Sequence, residues 1–331
     1  MMSFFQEERK KKKWPIFILT TAFLLVTAPW LCASAFGGEI VAWGDNCYGQ
    51  CDAPSGKGFV AIAGGGYHSL ALRSDGSLVA WGNNTYGQCD VPAGNDFVAI
   101  AGGGYHSLAL RFDGTLVAWG LNKYNQCDVP AGSNFVAIAG GGYHSLALRA
   151  DGSLVAWGDN TYGQCDMRSG NDFVAIGCGF WHSRAFKSDG SAVVWGRNEY
   201  DAGLSSGKDY VAVAEGGFHN LALKFDGSLA AWGLNKHQQC DVPAGNDFVS
   251  IASGGYHSLA LRCDGSNAVS DLSKYQQLDM SVGKNVVAIA RGVYHSIAFI
   301  GEPVVLLVLG LAAVILFWKR QKVEQQPKKH R

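Results

Sequence analysis

Two side-chain types recur in this chain at a spacing that invites a chemical reading. His68, His106, His144, His182, His219, His257 and His295 stand at steps of 38, 38, 38, 37, 38 and 38 residues. A serine follows six of them: Ser69, Ser107, Ser145, Ser183, Ser258 and Ser296. His beside Ser suggests a base and its nucleophile, and seven histidines suggest a metal centre. Spacing argues against both. Adjacent residues of a strand point to opposite faces, so each Ser is badly placed for the His before it. Equivalent positions on neighbouring sheets lie about 10 Å apart, whereas a zinc–nitrogen bond is about 2.1 Å. The expected role of each His is a hydrogen bond to backbone near the turn it follows. No paired carboxylates, triad or cofactor loop stands apart from the repeat, so no enzyme, no metal and no cofactor is expected.

The cysteines obey the same geometry. Cys51, Cys89, Cys127, Cys165 and Cys240 share one repeat position. The Cα limit of about 7 Å excludes disulfides between such equivalents. Cys47, Cys178 and Cys263 are off the pattern. Export would permit them to pair, but no partner can be assigned.

The elements that carry these residues read clearly from one copy. Phe59-Val60-Ala61-Ile62-Ala63 is a short apolar strand, ended by Gly64-Gly65-Gly66. His68 to Arg73 is a second strand, and Ser74-Asp75-Gly76-Ser77 is a hairpin signal. Leu78 to Gly82 is a third strand, and Gly87 to Val91 can supply a short fourth. The tryptophans Trp43, Trp81, Trp119, Trp157, Trp195 and Trp232 keep the same step and suit a wedge between stacked units. A period near 40 with four strands per unit is that of a β-propeller blade. The first piece, Glu39 to Gly44, is a third strand without its first two; the last, Val286 to Phe299, is a first and second without a third. Pairing the two ends predicts an all-β, closed, seven-bladed propeller. In the seventh copy Val269-Ser270-Asp271 replaces Val-Trp-Gly, so that blade is expected to be the least stable.

The wording VAWGxNxYGQ, FVAIAGGGYHSLAL and DGSLVAWG resembles the regulator of chromosome condensation repeat across residues 39–300. With Val91-Pro92, Val129-Pro130 and Val242-Pro243 it is phrased like the secreted bacterial members, which include propeller inhibitors of β-lactamase. The resemblance implies the seven-bladed fold, a binding role and, since family members usually have Leu at the position of Cys51, Cys89, Cys127, Cys165 and Cys240, a small buried apolar role for these cysteines.

Both ends depart from the repeat. Residues 1–35 carry Arg9 and Lys10 to Lys13, an uncharged stretch from Trp14 to Trp30, and Ala33-Ser34-Ala35. This reads as a secretory signal peptide, with an uncleaved anchor as the alternative. Residues 301–331 hold Gly301-Glu302-Pro303, an uncharged run from Val304 to Trp318, and a basic end. They resemble the PEP-CTERM sorting signal, with a plain membrane anchor as the alternative. Residues 36–300 then form one exported, monomeric domain. The whole chain has 27 basic and 27 acidic residues. Setting aside the eleven basic and three acidic residues of 1–35 and of the tail after Trp318 leaves 16 against 24, about eight negative charges. That is the wrong sign for a nucleic-acid surface.

If strands alternate in direction, two turns of each unit emerge on one face. One turn carries Tyr67, Tyr105, Tyr143, Trp181, Phe218, Tyr256 and Tyr294; the other carries Tyr48, Tyr86, Tyr124, Tyr162, Tyr200, His237 and Tyr275. Tyr and Trp favour interface cores. The expectation is a face that binds a protein, with a carbohydrate as the alternative; nucleotide exchange on a small GTPase is a further reading that export disfavours. The run from Gly177 to Arg184, with Arg197-Asn198-Glu199-Tyr200-Asp201, departs from the repeat and is expected to add an Arg, a Glu and two large aromatics there.

Overall fold

The computed structural model describes residues 39–197, 199, 210–270 and 286–301. The expected signal peptide, almost all of the C-terminal segment, Tyr200 and Tyr275 lie outside these. Among the described residues there are strands and turns but no helix, hence none long and apolar enough to cross a membrane.

Strand β1 is Glu39–Gly44. Three copies follow in one mould: β2 (Phe59–Gly64), β3 (His68–Arg73) and β4 (Leu78–Gly82); β5 (Phe97–Gly102), β6 (His106–Arg111) and β7 (Leu116–Gly120); β8 (Phe135–Gly140), β9 (His144–Arg149) and β10 (Leu154–Gly158). The later copies are β11 (Phe173–Cys178), β12 (His182–Lys187) and β13 (Ala192–Gly196), then β14 (Tyr210–Glu215), β15 (His219–Lys224) and β16 (Leu229–Gly233). Next come β17 (Phe248–Ser253), β18 (Ser258–Arg262) and β19 (Asn267–Ser270), and last β20 (Val286–Arg291) and β21 (His295–Ile300).

These strands make seven three-stranded antiparallel sheets. Six are consecutive triplets; in the seventh, β1 pairs with β21, Glu39 opposite Ile300 and Gly44 opposite His295. Each middle strand is buried along nearly its whole length, as its unbroken apolar wording requires. Adjacent sheets share cores. Leu70, Leu72 and Leu78 pack with Phe97, Ile100 and Ala109 of the next sheet, and Trp119 closes the same cluster. The tryptophans thus lie between sheets as expected.

A fourth strand per sheet does not appear in the described structure. Gly87 to Val91 is a run of turns because side chains of its own loop satisfy its backbone. Asn84 Oδ1 accepts from Cys89 N at 2.8 Å, Asn84 Nδ2 donates to Asp90 Oδ1 at 2.8 Å, and Gln88 Oε1 accepts from Tyr86 N at 2.9 Å. Gly87, with φ +77, supplies the left-handed residue. The same bonds recur in the loops of Asn46, Asn122, Asn160 and Asn235.

Candidate binding face

The histidines do not bond backbone near their own turn, as their position suggested. Six of the seven reach the serine of the following sheet. His68 Nε2 lies 2.9 Å from Ser107 Oγ, His106 2.9 Å from Ser145, and His144 2.9 Å from Ser183. His219, His257 and His295 reach Ser258, Ser296 and Ser69 at 2.8, 2.9 and 2.8 Å. Ser107 Oγ donates to the Gln88 carbonyl at 2.9 Å, which also accepts from Trp119 Nε1 at 2.9 Å. Since the hydroxyl proton is spent there, His68 must donate from Nε2, and this network fixes the tautomer. The rings pack against glycine: a Cβ on Gly65 would fall 2.0 Å from the His68 ring. Burial pushes the His68 pKa down to about 4 and those of the other six to about 3. These are neutral structural groups. Gln50, Gln88, Gln126 and Gln164, whose carbonyls serve as the hubs, were not singled out from the sequence.

One link differs. Asn220 stands where the serine would receive His182, and Asn220 Oδ1 accepts from Arg184 Nη2 at 3.0 Å instead. Arg184 is fully buried, so it is absent from the face on which its run was expected. It occupies the place of Leu70 and Leu108, with its Nε 3.4 Å from Glu215 Oε1 and its guanidinium 5.6 Å from the Trp232 ring. Arg291 joins the cluster through Nη2 to the Glu215 carbonyl.

The aromatics of the glycine-rich turns come together. Ring centroids of Tyr67–Tyr105, Tyr105–Tyr143 and Tyr143–Trp181 are 6.0, 5.6 and 5.6 Å apart. Phe218–Tyr256, Tyr256–Tyr294 and Tyr294–Tyr67 continue at 5.5, 6.0 and 5.1 Å. The rings form a collar-like arc running from Phe218 round to Trp181, with one half-buried side chain from each of the seven sheets. Beneath it is a hollow of about 20 Å³, lined in part by Gly66, Gly104, Gly142, Phe180, Gly217 and Val293, the residues just before collar positions. Phe180, part of the run from Gly177 to Arg184 that departs from the repeat, packs edge-on to Trp181 at 4.9 Å. Burial raises the Tyr67 and Tyr105 pKa values and pushes Tyr143 up to about 12, so the phenols are neutral hydrogen-bonding groups.

An outer set leans on the collar. Tyr48, Tyr86, Tyr124 and Tyr162 meet Tyr67, Tyr105, Tyr143 and Trp181 edge to face at 5.4, 5.8, 5.4 and 5.5 Å, and His237 meets Tyr256 at 5.4 Å. The two turn families therefore share one face. Arg197, paired with Glu199 at 3.0 Å, covers the Tyr162 ring at 5.3 Å. All eight described cysteines are free. The repeat ones are half-buried thiols held against backbone carbonyls, Cys89 Sγ at 3.3 Å from Asn83 O, rather than apolar fillers.

A propeller-type repeat protein whose sheets gather turns on one face is the class these features define. Three stretches, residues 59–88, 97–126 and 135–164, match the family described as the regulator of chromosome condensation (RCC1) repeat. Among solved structures, Prp20p from Saccharomyces cerevisiae is similar with a TM-score of 0.71 at 18% identity, covering 88% of this chain and 96% of that one. Human WBSCR16 is similar with a TM-score of 0.65 at 16% identity, covering 81% and 100%. The ectodomain of the Arabidopsis thaliana receptor kinase ACR4 gives 0.60 at 18%, covering 74% and 98%. At these identities the likeness establishes the fold. No curated protein matches the chain by sequence.

Proposed function

We propose that the seven sheets are the blades of a closed ring, exported from the cell, that binds a protein partner through the aromatic collar. The observation that carries this reading is the double set of rings on one face, half-buried inside and exposed outside. Rigid aromatics with a polar tip lose little conformational entropy when a partner covers them. Prp20p, similar in fold, is described with binding properties to Gsp1p and histones, so such a scaffold can serve protein recognition. Export rests on residues 1–35, and membrane association on residues 301–331.

The test is retention of a partner from surface fractions by the full-length chain and by its Tyr105→Ala, Tyr143→Ala, Trp181→Ala triple variant. Loss of retention with unchanged circular dichroism is expected. Equal retention by a folded triple variant defeats the proposal, and retention of glycans alone would replace protein with carbohydrate. Cell fractionation tests the address: propeller in the cytoplasm would refute export.

A further inference from the structure

We infer that the partner presents arginine or lysine side chains, taken up on the outer rings of Tyr48 and Tyr86; this rests on the collar being the binding face. The protein seats its own cations on aromatic rings. Arg73, Arg111, Arg149 and Arg262 lie 4.6, 4.5, 5.3 and 4.3 Å from the ring centroids of Phe59, Phe97, Phe135 and Phe248. Lys187 lies 5.4 Å from that of Phe173. On the collar face the chain again supplies two cations: Lys123 lies 5.3 Å from the Tyr124 centroid, and Arg197 sits at the same distance over Tyr162. These covered rings are 38% and 44% exposed. Tyr48 and Tyr86, in the same loop position and leaning on the collar in the same way, are 54% and 49% exposed. Among the described residues no cation lies over either ring; Cys47 and Thr85 stand where Lys123 does.

Charge points the same way. The loops 45–52, 83–90, 121–128, 159–166 and 234–241 hold seven aspartates (Asp45, Asp52, Asp90, Asp128, Asp159, Asp166 and Asp241) against Lys123 and Lys236, leaving five negative charges. Asp52 and Asp90 are exposed, and each is tied to the loop that carries its tyrosine, through Asn46 Nδ2 and Asn84 Nδ2 at 2.8 Å. An arriving guanidinium would meet a ring face and a fixed carboxylate together. A planar guanidinium stacks better than an ammonium, so arginine is the preferred guest.

The experiment is calorimetric titration of the full-length chain with penta-arginine, penta-lysine and penta-glutamate. Penta-arginine is expected to bind more tightly than penta-lysine, and penta-glutamate not at all. The Tyr48→Ala, Tyr86→Ala double variant, which leaves every charge in place, should lose about tenfold in penta-arginine affinity. Asp75→Asn with Asp113→Asn, in the hairpin turns at the other end of the strands, should change it less than twofold. Binding by the tyrosine double variant within twofold of the parent overturns the inference by showing plain Coulomb attraction. Failure of penta-arginine to bind also overturns it. The wider collar reading would still stand if the Tyr105, Tyr143, Trp181 variant loses the surface-derived partner.

Discussion

Seven buried neutral histidines make acid the most revealing perturbation of this fold. Each has a folded pKa near 3, or near 4 for His68, because burial disfavours the imidazolium. An unfolded His titrates near 6.5. Below that pH the unfolded chain binds protons that the folded chain refuses, so stability falls as pH falls; above it the histidines contribute no pH dependence. At pH 5.5 the linkage amounts to about 1.4 kcal/mol for each His, on the order of 10 kcal/mol for seven. Typical domains have only about 5–15 kcal/mol in total. The domain should therefore lose most of its stability between pH 6.5 and 5. Urea unfolding followed by tryptophan fluorescence, at steps from pH 7.5 to 5, measures the loss. Proton uptake on acid unfolding in unbuffered solution counts the groups. His106→Gln, which keeps a donor for Ser145, should reduce that uptake by one. A stability change below about 2 kcal/mol between pH 7.5 and 5.5, against the linkage figure, would refute the reasoning.

Three further outcomes follow from the geometry. Gly102→Ala would put a Cβ 2.6 Å from the Gly64 carbonyl oxygen on the neighbouring sheet, and thermal unfolding should show a loss of several kcal/mol or failure to fold. Arg184→Leu removes one of the two guanidinium groups clustered at Glu215, the other being Arg291, and should cost about 3–5 kcal/mol in denaturant unfolding. In native protein, iodoacetamide should label the exposed Cys47 and Cys263 and spare Cys89, Cys127 and Cys165, whose pKa values burial pushes up to about 11, 12 and 12; mass spectrometry before and after denaturation checks this. Asp45 raises the Cys47 pKa, so Asp45→Asn should speed its labelling.

Strands and hairpins were legible because each depends on a few adjacent residues: an apolar run, a glycine stop, an Asp-Gly turn. The common face of the two aromatic turns was legible from strand alternation alone. What escaped was set between units or within loops. The partner of His68 is Ser107, one residue beyond a full period, and only the stacking of sheets makes that offset a contact. The segment after Tyr86 reads as a strand by its ends, yet Asn84 and Gln88 take the hydrogen bonds a ladder would need. Arg184 looked like a surface residue by type; its place in β12, where other copies have Leu, decides its burial.

The pairing of Glu39 with Ile300 joins residues separated by almost the whole repeat region. A chain emerging amino end first must hold β1 unpartnered until β20 and β21 have arrived, so that sheet is completed last and the preceding six wait with an unmated flank. Long-range pairing of this kind slows folding and lengthens exposure to aggregation. Any delay in delivering the final fifteen residues of the repeat region would thus leave an adhesive edge at each end of an otherwise finished stack.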